Sequence, residues 1–329
     1  PVADITIQVN AANLKKLRQV FGDVVPTIGK INFSAKLKSQ PSELQLSELE
    51  LKLGKARIDG WLTLDTSGSI PDIRSELNIT DLNLDKLLQT KPKAVKSKTK
   101  PAKKPESEKL FSEEALPFDM LSQANINATI RGNNLVRHNR RLKEVEASIV
   151  LADEKLSVSM LKHSFIKDKF VADFVVDGSG MGTPSTTITL KVPHLELSEL
   201  LITGGGAAAV EGPLAIDVFL QGRGNSMAQI MASLDGNINL LMEQGSANAK
   251  ALDIFVGGLT AMVGTIFVDE SAKTKINCAI CDFKLEDGEL TSKLAVLDTQ
   301  YSTVFVDGQV DLEKEQLDIK VSPKAKGVT

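Results

Sequence analysis

A strand-like segment with one alternating pattern occurs three times in this chain, and this repeat restricts the folds that the chain can adopt. Each copy places apolar residues two positions apart and a small residue at the same step, at Gly60, Ala172 and Gly308. Because the side chains of a strand alternate between two faces, each copy has one apolar face. A chain that repeats a β unit usually builds an extended surface rather than an enzyme pocket. The three copies are residues 58–65, 170–177 and 306–312.

A second shared string follows the first two copies and supports a repeated module. Its apolar residues match between the copies at one constant offset of 113 positions. The matching residues are Leu77, Ile79, Leu82, Leu84, Leu87 and Leu88 in one copy, and Leu190, Val192, Leu195, Leu197, Leu200 and Leu201 in the other.

The alternation of apolar and polar residues continues along most of the chain and predicts consecutive strands. Short turn signals between them favour an antiparallel meander with one apolar face. The predicted fold class is therefore mainly β with a few helices (α+β). The alternating segments lie at 31–37, 49–53, 126–130, 145–151, 156–160, 216–220, 238–242, 294–296 and 317–321. The predicted turns lie at Gly54, Gly68, 132–134, 153–154, Gly178, 287–288 and 307–308.

Three segments have helical periodicity instead. Residues 13–21 place their apolar side chains on one side, and residues from about 226 to 235 follow a candidate N-cap at Asn225 or Ser226. Residues from about 250 to 266 carry an apolar stripe. The region 251–268 is also the best candidate for a membrane span, but it includes Asp253 and falls short of the roughly 20 apolar residues that a span needs. A helix packed on a sheet is the favoured interpretation.

Composition shifts divide the chain into modules. Residues 1–88 form a predicted β module with a short N-terminal helix, and 115–203 form a second one. Residues 210–329 form a third module with the two later helices. Between them lie a predicted disordered Lys/Pro/Ser-rich linker at 89–114 and a Gly/Ala hinge at 204–209. The lysines at 91–109 indicate a solvated linker or, alternatively, weak contact with anionic lipid head groups.

The polar residues give no sign of catalysis. The three histidines, His138, His163 and His194, have no second histidine or carboxylate at metal-ligand spacing and are interpreted as surface or structural. Residues 222–224 read Gly-Arg-Gly and are better explained as a turn before a helix than as a phosphate cradle. No cofactor and no metal site is therefore predicted, and the chain is not expected to be an enzyme. The net charge of −3 gives no basic field for nucleic acid.

The two cysteines, Cys278 and Cys281, lie within strand signals. Residues three apart in an extended strand are about 10 Å apart, beyond the reach of a disulfide. A bend between Ile280 and Phe283 could shorten this distance. Buried free cysteines, a structural disulfide, and redox or metal chemistry therefore stay open as alternatives.

The basic residues at 137–141 most readily form a loop that connects two strands, with head-group contact as an alternative.

Several motifs together resemble the AsmA-like protein family. The segment LPFDML at 116–121 precedes a run of strands, and later motifs follow in the family's order. The resemblance covers nearly the whole chain and is clearest from Leu116 to Lys320, whereas the Lys-rich insert at 91–109 matches no family pattern. The later motifs lie at 211–214, 222–226, 232–236, 276–288 and 305–308.

The resemblance implies a fold and a location. AsmA-like proteins are similar to TamB and to bridge-like lipid transfer proteins, which share an elongated, twisted antiparallel sheet bent into a hydrophobic groove. By this resemblance the chain is expected in the periplasm, tethered to the inner membrane by an N-terminal anchor that is absent from this chain.

The implied function is non-enzymatic lipid binding or conduction in outer-membrane biogenesis, with phospholipids moving between the inner and outer membranes. The expected partners are phospholipids with their acyl chains in the groove, membranes, and outer- or inner-membrane proteins. An alternative is a periplasmic scaffold that assists outer-membrane protein assembly by strand-edge or groove binding. The residues expected to line the groove are Ile58, Leu62, Leu64, Phe170, Phe174, Val176, Val306, Val310 and Leu312.

Overall fold

The structure of the chain is a computed structural model that divides into two compact units. Unit 1 comprises Pro1–Glu108 and Pro117–Ser164, and unit 2 comprises Lys109–Leu116 and Phe165–Thr329. The boundary at 164/165 falls inside the second predicted module. The structure describes residues 3–11, 30–85, 109–137, 140–164, 166, 168–180, 182–200, 210–248, 252 and 273–327.

Unit 1 is a sheet of eight strands in which each strand pairs with the next one along the chain. No pairing among the described residues joins its first strand to its eighth, so this sheet is open. The strands are β1 (Ala3–Ala11), β2 (Ile31–Gln40), β3 (Glu43–Leu53), β4 (Ala56–Asp65), β5 (Asp72–Thr80), β6 (Asn125–Arg137), β7 (Arg140–Ala152) and β8 (Lys155–His163).

One pairing in unit 1 corrects the predicted meander. β5 and β6 run parallel, with Asp72 opposite Asn125 and Thr80 opposite Asn133, while every other pair in the unit is antiparallel. A parallel pair needs a crossover of a dozen or more residues, and residues 81–124 supply that length.

The described residues of unit 2 form ten strands in an antiparallel arrangement. β10 lies between β9 and β12, and the order continues through β13, β15, β16 and β17 to β18. The short strands β11 and β14 pair with each other, and β14 also pairs with β15. The strands are β9 (Val171–Asp177), β10 (Ser185–Glu196), β11 (Val210–Glu211), β12 (Pro213–Arg223), β13 (Asp235–Met242), β14 (Gly245–Asn248), β15 (Lys273–Glu286), β16 (Glu289–Thr299), β17 (Ser302–Asp311) and β18 (Gln316–Ala325).

The described helices are short, and the mainly-β prediction is confirmed. α1 covers Leu197–Leu200, α2 covers Met227–Ala232, and a 3-10 helix covers Phe118–Ser122. Ser226 caps α2 as predicted, because its hydroxyl oxygen accepts a hydrogen bond from the Gln229 amide at 3.3 Å. The predicted helix at 13–21, the hinge at 204–209 and nearly all of the predicted helix at 250–266 lie outside the described residues.

Two of the predicted turns are wrong. Residues 132–134 lie within β6, and residues 307–308 lie within β17, so the chain does not reverse at either place. The strand is irregular at Asn134, whose φ is 55°. The predicted turns at Gly54, 153–154 and 287–288 are confirmed.

The predicted linker is partly ordered. Residues 86–108 lie outside the described part of the chain, but residues 109–114 are bonded within unit 2. The Glu315 carboxylate accepts hydrogen bonds from the backbone amides of Leu110 and Phe111 at 2.7 and 2.9 Å. The Ala228 amide donates to the Ser112 carbonyl at 3.0 Å, and the Leu116 amide donates to the Asn225 carbonyl at 2.7 Å. The prediction of disorder up to residue 114 is therefore wrong for its last six residues.

The main buried cluster lies in unit 2 and consists of Val210, Met242, Ala247, Leu252 and Ile276. Leu214, Ala279 and Leu297 pack against this cluster from one face of the sheet. At the other end of the same face, α2 approaches β12 so closely that a Cβ on Gly222 would lie 2.6 Å from the Ile230 carbonyl oxygen. The stretch of sheet between these two ends carries the part of the candidate site that belongs to unit 2.

Candidate functional site

The strand register of unit 1 places apolar side chains on one face across all eight strands. Residues directly opposite each other on paired strands project from the same face. Leu62 of β4 lies opposite Leu46 of β3 and Ser75 of β5, and Leu46 lies opposite Leu37 of β2. We call this the apolar face of unit 1. One complete row across it reads Ile5, Leu37, Leu46, Leu62, Ser75, Ala128, Ile149 and Val158.

The predicted lining residues of unit 1 all lie on this face. Ile58, Leu62 and Leu64 are separated by even numbers of residues in β4, and that strand pairs with β5 without a register shift. Leu64 lies opposite Leu44 and Ile73. The apolar face therefore extends along β4 as well as across the sheet.

Unit 2 has a corresponding apolar face. Phe174 of β9 lies opposite Ile188 of β10, and Ile188 lies opposite Leu220 of β12. The same row reaches the last strand, where Val310 lies opposite Leu317. The complete row reads Phe174, Ile188, Leu220, Gly236, Leu285, Leu290, Val310 and Leu317.

The remaining predicted lining residues of unit 2 lie on or beside the same face. Val176 shares the face of Phe174 in β9, and Val306 shares the face of Val310 in β17. Phe170 directly precedes β9, and Leu312 directly follows β17; both are half-buried. The fold places the β9 and β17 groups on one face of unit 2 but six strand spacings apart, about 29 Å. Their role as a groove lining stays a prediction.

Much of the apolar surface remains open to solvent. The side chains of Ile58, Leu62 and Leu64 are only half-buried. Phe174 and Ile188 each keep 39% of their surface exposed. Exposed apolar patches of this extent on a soluble protein usually mark a surface that contacts a lipid, a ligand or another protein.

The opposite face of unit 1 is charged and hydrated. Arg131 contacts Glu76 and also lies 3.2 Å from Glu146, and Arg57 lies 3.2 Å from Glu50. Such exposed ion pairs contribute little to stability individually. Their arrangement keeps this face in water and leaves the other face as the only strongly apolar one among the described strands of unit 1.

The opposite face of unit 2 is less uniform, and sequence reasoning missed this feature. An apolar row crosses five of its strands in register, and Lys324 Nζ lies 5.0 Å from the ring centre of Phe305 at its end. The signal was present as consecutive apolar residues in β12, β13 and β15, where strict alternation fails. The row reads Ala215, Leu241, Ile280, Val296 and Phe305.

The two cysteines are free and project from opposite faces. Cys281 lies on the apolar face, opposite Leu240 and Ala295. Cys278 lies opposite Asp298 on the other face. A disulfide between them is therefore excluded in this strand. Burial raises the pKa of the Cys281 thiol, which makes it a poor nucleophile at neutral pH.

The two described histidines, His163 and His194, lie in different units. His163 lies opposite Val145 at the end of the apolar face of unit 1, and burial lowers its pKa. His194 Nε2 lies 2.7 Å from Glu196 Oε1 at the surface. His138 is outside the described residues. Within the described part of the chain, no three His, Cys, Asp or Glu residues come together in a way that could hold a metal ion.

Residues 222–224 continue from β12 towards α2, as the interpretation of a turn before a helix requires. The spaces next to Gly222 and Gly224 are filled by Ile230 and Gln229 of that helix.

No helix among the described residues has the length and apolarity needed to cross a membrane. The candidate span at 251–268 lies almost entirely outside those residues.

The fold and these faces define a class of protein: a large open β-sheet protein with exposed apolar faces. The chain belongs to the AsmA family, whose model matches residues 48–295, and the resemblance found in the sequence is confirmed. Members of this family are generally linked to outer-membrane biogenesis and are not known as enzymes.

The chain is similar to the AsmA family protein YhjG of Escherichia coli (strain K12), with 23% identity over 344 residues. The match covers 99% of this chain and 49% of that protein. The chain thus spans about half the length of the curated relative that it matches. No solved structure matches it significantly.

Proposed function

We propose that this chain is a non-enzymatic lipid-binding module that holds acyl chains on its apolar faces. The observation that carries the proposal is the row of mainly apolar side chains across eight strands in each unit, interrupted only by Ser75 in unit 1 and by Gly236 in unit 2. Moving an acyl chain from water onto such a face is favourable by about 0.8 kcal/mol for each CH₂ group that is fully buried. Because neighbouring rows are similarly apolar, moving from one row to the next changes the free energy little.

In the setting of the AsmA family, this module would act in outer-membrane biogenesis. We infer that it conducts phospholipids between the inner and outer membranes as part of a longer protein in the periplasm, tethered to the inner membrane. The row structure supports conduction over storage, because no closed cavity is needed to shield the acyl chain at each step. Transport needs only a continuous apolar path with the polar head group in water.

Strand-edge binding of a client protein is less well supported. β18 pairs on one side only among the described strands. Its free edge carries Lys320, Lys324 and Pro323, which are residues that natural sheets use to discourage the addition of another strand.

The two cysteines provide a direct test of the proposal. C278S and C281S each leave one thiol, and the remaining thiol can be labelled with a maleimide, with and without phospholipid, at mildly alkaline pH to offset the raised pKa of Cys281. Bound acyl chains should slow the labelling of Cys281 several-fold and leave Cys278, on the opposite face, unaffected. Native mass spectrometry of the purified chain should show co-purified phospholipid. Equal labelling rates with and without lipid, together with no bound lipid, would overturn the proposal.

A further inference from the structure

The two rims of the unit 1 sheet carry opposite charge. One rim contains the strand ends at Ile31, Leu53 and Ala56, and the other contains those at Glu43 and Asp65. Because β4 has 10 residues, the rims are about 30 Å apart. This separation exceeds the screening length of about 8 Å at physiological salt. Each rim therefore acts on a ligand independently of the other.

The first rim is basic. Lys52 and Arg57 lie directly opposite each other on β3 and β4. The Gly54 amide donates to the Lys30 carbonyl oxygen at 3.4 Å. This hydrogen bond holds Lys30 beside the β3–β4 turn, which contains Lys55. Its six exposed cations outnumber the five nearby carboxylates among the described residues, Glu50, Asp59, Asp81, Asp85 and Glu144, and Lys162 pairs with Glu144 at 2.6 Å. The cations, which we call the basic rim, are Lys30, Lys52, Lys55, Arg57, Arg141 and Lys143.

Some of this positive charge is already compensated. Lys52 lies 3.1 Å and Arg57 lies 3.2 Å from the Glu50 carboxylate, and Arg57 also lies 3.3 Å from Asp59. These side chains project from the face opposite the apolar one. Lys30, Lys55 and Lys143 are exposed at the rim itself and supply the excess positive charge.

The second rim is acidic. Glu43, Asp65 and Asp72 lie in one row across three strands, and the β7–β8 turn adds Asp153 and Glu154. Hydrogen bonds from Ser67 lower the pKa of Asp65, so this carboxylate stays negative at neutral pH. An anion placed at this rim would be repelled.

We propose that the basic rim binds the phosphate group of phospholipids whose acyl chains lie on the apolar face of unit 1. The inference rests on the proposed function and adds a direction to it: head groups lie along the basic rim and are excluded from the acidic rim. Lysine and arginine form charge-assisted hydrogen bonds with phosphate oxygens, and the adjoining apolar face holds the chains. Lipids with a net negative head group are therefore preferred over those that lack phosphate.

The test compares two triple variants that remove equal charge. K30Q/K55Q/K143Q neutralises the exposed part of the basic rim, and K38Q/R74Q/K155Q neutralises cations near the acidic rim. Binding of fluorescent phosphatidylglycerol and of fluorescent diacylglycerol, which lacks the phosphate, is measured for each variant and for the wild type. We expect the wild type to prefer phosphatidylglycerol by about tenfold. The basic-rim variant should lose most of this preference, and the control variant should keep it.

The outcomes separate the two proposals. If the wild type binds both lipids equally, or if the basic-rim variant keeps its preference, the rim proposal falls and the apolar face remains a lipid site. If neither lipid binds, both proposals fall. Excess glycerol 3-phosphate should not displace phosphatidylglycerol, because it has no acyl chains. Displacement at low concentration would show a site for soluble phosphate and overturn the assignment to lipid.

Discussion

Gly60 and Leu77 lie directly opposite each other on β4 and β5, and the backbones approach so closely there that no side chain fits on Gly60. A Cβ atom on Gly60 would lie 2.0 Å from the carbonyl oxygen of Glu76. Gly308 repeats this arrangement opposite Ile319 in unit 2, with 2.2 Å from its Cβ position to the Asp318 carbonyl oxygen. The small residue of the repeated module thus allows close contact between neighbouring strands, at φ angles of 152° and 154°.

Replacing Gly60 with alanine should destabilise unit 1 strongly. The added methyl group must displace the backbone of β5, and alanine would also be strained at this φ. We expect G60A to lower the free energy of unfolding by about 3 kcal/mol, measured by urea denaturation. G54A is the matched control, because Gly54 also has a positive φ, 64°, but no atom lies within 4 Å of its Cβ position. A loss from G60A no larger than that from G54A would contradict the close-approach explanation.

The strands and their faces could be predicted because side-chain alternation is a local property of extended backbone. The spacing of Leu62 and Leu64 puts them on one face wherever β4 lies in the sheet. The odd separation of Cys278 and Cys281 likewise puts them on opposite faces once β15 is regular between them. The sequence alone was therefore sufficient to predict which of these side chains share a face.

The pairing of strands that are far apart in the sequence could not be predicted in the same way. β5 and β6 lie on either side of residues 81–124 in the sequence, and no local pattern records that the two strands run parallel. Gly132 and Gly308 lie in sequences typical of turns. Pairing with the adjacent strands nevertheless keeps the backbone extended at both positions. The charge difference between the rims also depends on register, since Lys52 and Arg57 meet only through the β3–β4 pairing.

A charge on the apolar face of unit 2 should abolish acyl-chain binding there. Phe174 is 39% exposed on that face, and Phe219 is 41% exposed on the opposite face, so the two phenylalanines form a matched pair. F174E should reduce phospholipid binding by at least tenfold, because a buried carboxylate beside an acyl chain is costly. F219E should change binding less than twofold. Lipid binding is measured by native mass spectrometry, with circular dichroism to show that both variants fold. Equal losses for both variants would argue against a binding site confined to the apolar face.

Glu315 should control the ordering of residues 109–114, the last part of the predicted linker. Its carboxylate accepts the Leu110 and Phe111 amide hydrogens, and these backbone hydrogen bonds lower its pKa. In E315A, hydrogen exchange at these two amides should quicken by about tenfold, as followed by NMR. E313A, at an exposed position two residues away, is the control and should leave both amides protected. Because the pKa of Glu315 is lowered, the protection should persist above pH 4.5, the ordinary value, and decline on further acidification. Unchanged protection in E315A would show that the other contacts of the segment suffice.

Asp298 should stabilise the turn between β16 and β17 in a pH-dependent way. Lys326, then Thr303 and Asn277, donate hydrogen bonds to its carboxylate and lower its pKa from 3.8 to about 2. Lys326 Nζ lies 2.6 Å from Asp298 Oδ1, and Asn277 Nδ2 lies 2.8 Å from Oδ2. A lowered pKa in the folded state means that the stabilisation is fully present above the unfolded value of 3.8. It is lost as the pH falls through about 2.

D298N should therefore lower the free energy of unfolding by about 1–2 kcal/mol at pH 7, because the carboxylate is 21% exposed and partly screened by solvent. Urea denaturation from pH 7 downwards should show this difference between variant and wild type shrinking below about pH 4. D318N removes an exposed carboxylate from β18 and should show no comparable difference at any pH. A D298N difference that stays constant down to pH 2 would mean that packing of the turn, rather than the charged hydrogen bonds, supplies the stability. In that case the ionisation of Asp298 would make no contribution to the free energy of unfolding.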